Sequence, residues 1–101
     1  MQIKQGDLLK IAGVAWPVIA VSNGFFNSSG KAVVCPIVKD AVEGPLHIPM
    51  KDCPVEGYVL WEQVRYPDLS ARRFSRITGA PYFDAMGISD AVMGILDYQT
   101  L

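Results

Sequence analysis

The side chains best equipped for chemistry are concentrated in residues 57–73, GYVLWEQVRYPDLSARR. Arg65, Arg72 and Arg73 lie in this stretch and Arg76 just beyond it, with Glu62 and Asp68 interleaved. An arginine fork can bind two phosphate oxygens at once, and a nearby carboxylate can accept a proton or hold the arginine in place. Together these are the minimum equipment for phosphodiester chemistry. The same spacing also suits a structural network in which Glu62 and Asp68 pair with Arg65 and Arg72. His47 is the only histidine, and so the one side chain able to exchange a proton near neutral pH without a large pKa shift. The candidate catalytic residues are therefore Glu62, Arg65, Asp68 and Arg72, with His47 as an outside candidate for the acid.

A second group lies in the loops beside two apolar runs. Asn23, Asn27, Ser28, Lys31 and Lys39, together with Arg73, could grip a single-stranded nucleic acid through phosphates and base edges. Phe25, Phe26, Trp61 or Tyr66 would then serve as stacking platforms. Ordinary turn chemistry accounts for the same small polar residues, and Trp16 and Trp61 equally suit a core or an interface.

Several function classes are disfavoured. There is no Gly-rich phosphate loop, no GxSxG elbow and no cluster with metal-ligand spacing, so neither a metal nor a nucleotide cofactor is expected. Nine basic residues against ten acidic ones give a net charge of −1, so any case for a polyanionic partner has to be local. Cys35 and Cys53 lack zinc spacing and read as free thiols of a reducing cytoplasm. The N-terminus has no signal pattern, and the longest apolar run, Val14 to Val21, is far shorter than the ~20 residues of a membrane helix. A cytoplasmic protein without membrane contact is expected.

The elements that must position these groups follow from the apolar pattern. With 101 residues, half of them apolar, the chain suits one domain spanning 1–101. Strands are expected over residues 6–11, at Val18–Val21 after Trp16-Pro17, over Lys31–Val38 with Pro36 marking an edge or bulge, at Leu46–Met50, from Tyr58 to about Val64, and at Ser75–Thr78. Phe25-Phe26 is expected to fold back onto the core, and Asp68 to cap a helical turn over Leu69–Arg73. Asp84 should cap a final helix whose apolar face, Met86, Val92, Met93, Ile95 and Leu96, packs against the sheet. Five or six strands with a terminal helix read as mainly β: a small, partly open β-barrel with appended α elements.

The order of these pieces resembles the PemK/MazF family of toxins from bacterial type II toxin–antitoxin systems. The resemblance rests on Gly6-Asp7 opening strand one, the WPVIAVSN run with Asn27 and Gly30 beyond it, VVCPI at 33–37, and GYVLWEQVRYPDLSAR, in which Glu62-Gln63-Val64-Arg65 with Asp68 and Arg72 is strongest. It implies an SH3-like (MazF/CcdB-type) barrel that forms a homodimer, an antitoxin peptide in its groove, and metal-independent, growth-inhibiting endoribonuclease (mRNA interferase) activity on single-stranded RNA. Three positions depart from the family pattern: the usual Arg before Pro is Trp16, the usual Thr or Ser after the Pro-aliphatic pair is Val38, and a basic residue found in some members is Leu60. The alternative is therefore a catalytically degenerate member that binds an antitoxin, a topoisomerase or another protein without cutting RNA.

Overall fold

Short runs with every residue apolar, such as Val18-Ile19-Ala20, suit strands covered on both faces. The computed structural model describes residues 2–42, 44, 47–50, 55–80, 87, 88, 92 and 93. Its strands are β1 (Asp7–Ile11), β2 (Val18–Ala20), β3 (Val34–Val38), β4 (His47–Pro49), β5 (Tyr58–Leu60) and β6 (Phe74–Gly79). They form one antiparallel sheet in the order β4-β5-β3-β2-β1-β6. A four-residue helix, α1 (Gly24–Asn27), follows β2. The expected partly open barrel is thus realised as an open sheet with β4 and β6 at its edges.

Two apolar clusters sandwich the sheet. Leu9, Ile11, Val18, Val34 and Leu69 belong to one, and Leu8, Ile19, Cys35, Ile37 and Val59 to the other. Leu8, Leu9, Ile11 and Ile19 are fully buried, and each such side chain contributes about 1.5–3 kcal/mol relative to an exposed one. Ile88 and Val92 are helical and complete the second cluster. The remainder of the expected terminal helix, including Asp84, Met86, Ile95 and Leu96, lies outside the described residues, as does Cys53.

Pro36 sits inside the sheet, paired with Val18 of β2. Ile37 donates to the Pro17 carbonyl on the β2 side, and Val34 to Arg65 on the other. Alternation therefore turns the nitrogen of Pro36 away from β2. The partner chain leaves the ladder opposite this point: pairing is regular at Ile37↔Val59 and resumes only at Val34↔Arg65. The missing N–H thus meets a gap and leaves no carbonyl orphaned. Pro36 therefore lies in an interior strand beside an interruption of the ladder on one side, and its pairing with β2 is regular.

Three further features hold the frame. At Gly57, φ is +140° and an added Cβ would lie 2.9 Å from the carbonyl carbon and oxygen of Val38, so β5 approaches β3 closely through a residue without a side chain. A register shift between Leu8 and Leu9 skips Ile77 of β6, which stands half exposed at 43%. The buried Asp7 carboxylate accepts from Arg76 Nε and from the Lys4 N–H, both at 2.9 Å, joining the first strand to the last.

The phenylalanines of α1 do not fold back onto the core. Phe25 is 91% exposed and Phe26 41%, because Asn23 caps the helix by accepting from the Phe26 N–H and the buried side of the turn is taken by Asn27.

Candidate functional site

After β5 the chain turns at Trp61-Glu62, with Gln63 N–H donating to the Leu60 carbonyl, and then runs alongside the segment that leads into β3 as an irregular strap. Arg65 exchanges two backbone hydrogen bonds with Val34, at 2.8 and 2.9 Å. Asp68 bridges to Lys31, and the N–H groups of Leu69 and Ser70 both donate to the Gly30 carbonyl. Leu69 itself is buried in the first cluster. The expected helical turn over Leu69–Arg73 is a non-helical turn and bend, but the capping role of Asp68 is present: its Oδ1 accepts from the Ser70 N–H and hydroxyl. Those bonds, above all the one from the Ser70 hydroxyl, hold the Asp68 carboxyl below its ordinary pKa.

Pinned in this way, the strap holds Arg65, Tyr66 and Arg72 over a cavity of about 350 Å³ floored by Ile11, Val18 and Val34. Arg72 also reaches the β1–β2 connection, where an added Cβ on Gly13 would stand 3.9 Å from its Nη1. Among the described residues only His47–Glu62 and Arg76–Asp7 form ion pairs. The network that spacing allowed, Glu62 and Asp68 neutralising Arg65 and Arg72, is therefore not formed. Asp68 is held by Ser70 and Glu62 by His47, so that among the described residues neither guanidinium group has a carboxylate partner. An arginine in that condition beside a mostly apolar cavity is equipped for an anion such as phosphate.

Glu62 and His47 make a separate pair. β4 places His47 opposite Leu60, and its Nε2 lies 3.0 Å from Glu62 Oε1. The Nδ1 atom faces the Val42 carbonyl. With an acceptor at each ring nitrogen the doubly protonated ring is favoured, so the His47 pKa is raised above 6.5, chiefly by the Val42 carbonyl and next by Glu62. The pair could pass a proton in either direction. Neither residue lines the arginine cavity.

The proposed nucleic-acid contacts fall in different surroundings. Asn27 is buried, its amide donating to the Ile3 and Ser22 carbonyls, so it braces α1. Asn23 caps α1 at an edge of the same turn. Lys31 lies with its Nζ 5.4 Å from the Tyr66 ring centroid, and Lys39 is exposed in the turn after β3. Arg73 lines a second, larger cavity of about 630 Å³ with Lys10 and residues of the β1–β2 connection. Lys10 was not among the sequence candidates. A lone cation in the apolar run Leu8-Leu9-Lys10-Ile11 was the available signal, and its Nζ donates to the Val14 and Ala15 carbonyls, bracing that connection.

Trp16 is half exposed, Leu60 is buried and Val38 closes β3 beside Tyr58. Among the described residues no three His, Cys, Asp or Glu side chains converge as a metal site, and no helix is long and apolar enough to cross a membrane.

No family model and no curated protein sequence matches the chain significantly. Its architecture does match solved structures. A MazE–MazF structure (form II) from Deinococcus radiodurans superposes with a TM-score of 0.85 at 20% identity, covering 98% of this chain and 99% of that one. MazF (form I) from the same organism gives 0.82 at 20%, covering 95% and 97%. An endoribonuclease in complex with its cognate antitoxin from a mycobacterial species gives 0.78 at 16%, covering 98% and 99%. The fold is MazF-like.

Proposed function

We propose, from a MazF-like fold that carries two carboxylate-free arginines over one cavity, that this chain is the toxin of a toxin–antitoxin pair and acts on single-stranded RNA. The observation that carries the reading is that Arg65 and Arg72 line one cavity and that, among the described residues, neither forms an ion pair with an acidic side chain. In the reaction, the 2′-hydroxyl of a nucleotide attacks its own 3′-phosphate. The 5′-oxygen of the next nucleotide leaves, and a cyclic 2′,3′-phosphate remains. Arg65 and Arg72 offset the charge that builds on the phosphate. Glu62 or Asp68 is the candidate to accept the proton of the attacking hydroxyl, and His47, whose pKa is raised by the Val42 carbonyl and by Glu62, is the outside candidate to return one to the leaving oxygen. Protein, RNA and water suffice for this chemistry. The same reading makes the protein a cytoplasmic homodimer of SH3-like, partly open barrels, with a groove that takes an antitoxin peptide in competition with RNA.

A second reading is favoured by one observation: Glu62 and His47 do not line the arginine cavity, and Trp16, Val38 and Leu60 bring no polar group near it. On that reading the protein is a degenerate member of the fold that binds an antitoxin, a topoisomerase or another protein.

One experiment separates the two. Purified protein is incubated with a long single-stranded RNA in EDTA, beside an Arg65→Ala/Arg72→Ala variant. Cleavage predicts discrete fragments ending in cyclic phosphate, lost in the variant. RNA that stays intact at high protein concentration refutes the enzymatic reading.

A further inference from the structure

Two cavities lie on opposite sides of the entry to β3, because successive residues of an extended chain point to opposite faces. Val34 floors the arginine cavity, whereas Val33 lines a mostly apolar one of about 290 Å³. Tyr66 belongs to the first and Phe26 to the second, and their rings meet between the two at 5.7 Å with planes tilted by 42°. Both rings remain about half exposed, at 53% and 41%. Lys31 stands over Tyr66. The charged groups around the pair are Lys31, Arg65 and Arg72, together with Asp68, whose carboxylate is engaged by Ser70. The other exposed aromatics lack this setting: no ring contact involves Phe25 or Trp16 among the described residues, and Trp61 packs against the second cluster.

We propose that Tyr66 and Phe26, with Lys31 beside them, form a base-stacking subsite for the nucleotide whose phosphate lies between Arg65 and Arg72. The inference rests on the RNA reading above and adds to it the way the strand is chosen. Every base has a π-face, so the platform is tolerant of sequence. Bases stacked inside a duplex cannot offer that face, so the platform selects single strands. Lys31 at the Tyr66 ring and Arg65 and Arg72 in the cavity that Tyr66 lines put cations beside the platform, as a polyanionic strand requires.

The test uses two 12-nucleotide probes that cannot be cleaved: a fully 2′-O-methylated single-stranded oligoadenylate and an abasic strand of equal length and charge. The full chain is expected to bind the adenine strand at least tenfold more tightly than the abasic one. The Phe26→Ala/Tyr66→Ala variant should lose that difference while keeping its affinity for the abasic strand, and Tyr66→Phe should keep both. An Arg65→Ala/Arg72→Ala variant should weaken both strands alike. Unaltered preference for adenine in the aromatic variant, or equal binding of the two probes by the parent protein, overturns the stacking subsite while leaving the arginine reading in place. No binding of either probe overturns both. A retained unfolding midpoint for the aromatic variant, whose two substitutions are surface truncations, excludes misfolding as the cause.

Discussion

Replacing Gly57 with alanine tests the joint on which the whole strap depends. The backbone there has φ of +140°, a conformation that costs a residue with a side chain about 1–3 kcal/mol. The new Cβ would also stand 2.9 Å from both the carbonyl carbon and oxygen of Val38 and 3.1 Å from Ile37 Cγ2. Two of these three atoms are backbone of an interior strand that cannot swing away, and overpacking of this kind adds about 1–3 kcal/mol. Together the two effects put the destabilisation at about 4 kcal/mol, a large part of the 5–15 kcal/mol typical of a domain. With a urea slope of about 1–1.5 kcal/mol per molar for a chain of this size, the midpoint should fall by roughly 3 M. Tryptophan fluorescence of Trp16 and Trp61 reports it, because one indole is half exposed and the other is packed against the core. Gly44→Ala is the internal control: nothing lies within 4 Å of its added Cβ, and a change under about 0.5 kcal/mol is expected. Equal midpoints for the two variants would refute the close-approach argument. Any residual folded Gly57→Ala protein should also bind RNA more weakly, since β5 leads directly into the strap.

The remaining predictions concern titration. NMR should place the His47 pKa above 6.5, and Glu62→Gln should lower it without abolishing the shift, because the Val42 carbonyl remains. Since the folded-state value is the higher one, the stabilisation from this pair is fully present below about pH 6.5 and is lost as pH rises through the raised value. A His47 pKa at or below 6.5 would contradict the geometry. Burial, with a smaller effect from Glu62, pushes the Cys35 thiol up to about 12. Iodoacetamide at pH 8 should therefore leave it unmodified in the folded protein and alkylate it at least a hundredfold faster in urea. Rapid labelling without denaturant would show that the second cluster opens readily.

The strands were legible because their apolar runs and turn residues are local signals. Every expected strand has a counterpart within a few residues, including the short one after Arg73 that became β6. Contacts set by the tertiary path were not legible. His47 and Glu62 are 15 residues apart, and nothing in their neighbours indicates that β4 and β5 will place them side by side. The charge pairing inferred along residues 62–72 assumed a local partner for each arginine, whereas Asp68 accepts from Ser70 and Glu62 pairs with His47 of β4. Phe25-Phe26 was read by hydrophobicity alone, and Asn27 took the buried position because its amide satisfies two carbonyls that a phenylalanine would have left bare. The resemblance to MazF reached the fold by the order of motifs, which survives at an identity too low for residue-level transfer.

The sheet order has a consequence for how the chain is made. The first strand lies between β2 and β6, and its Asp7 bonds Arg76 across 69 residues. During synthesis β1 can pair early with β2, but its other edge stays open until Phe74–Gly79 has emerged. Closure of so long a loop is slow relative to local pairing. A nascent or truncated chain ending before Phe74 thus presents a raw apolar strand edge, with Asp7 buried beside no cation, and is a natural target for chaperones or for pairing with another copy.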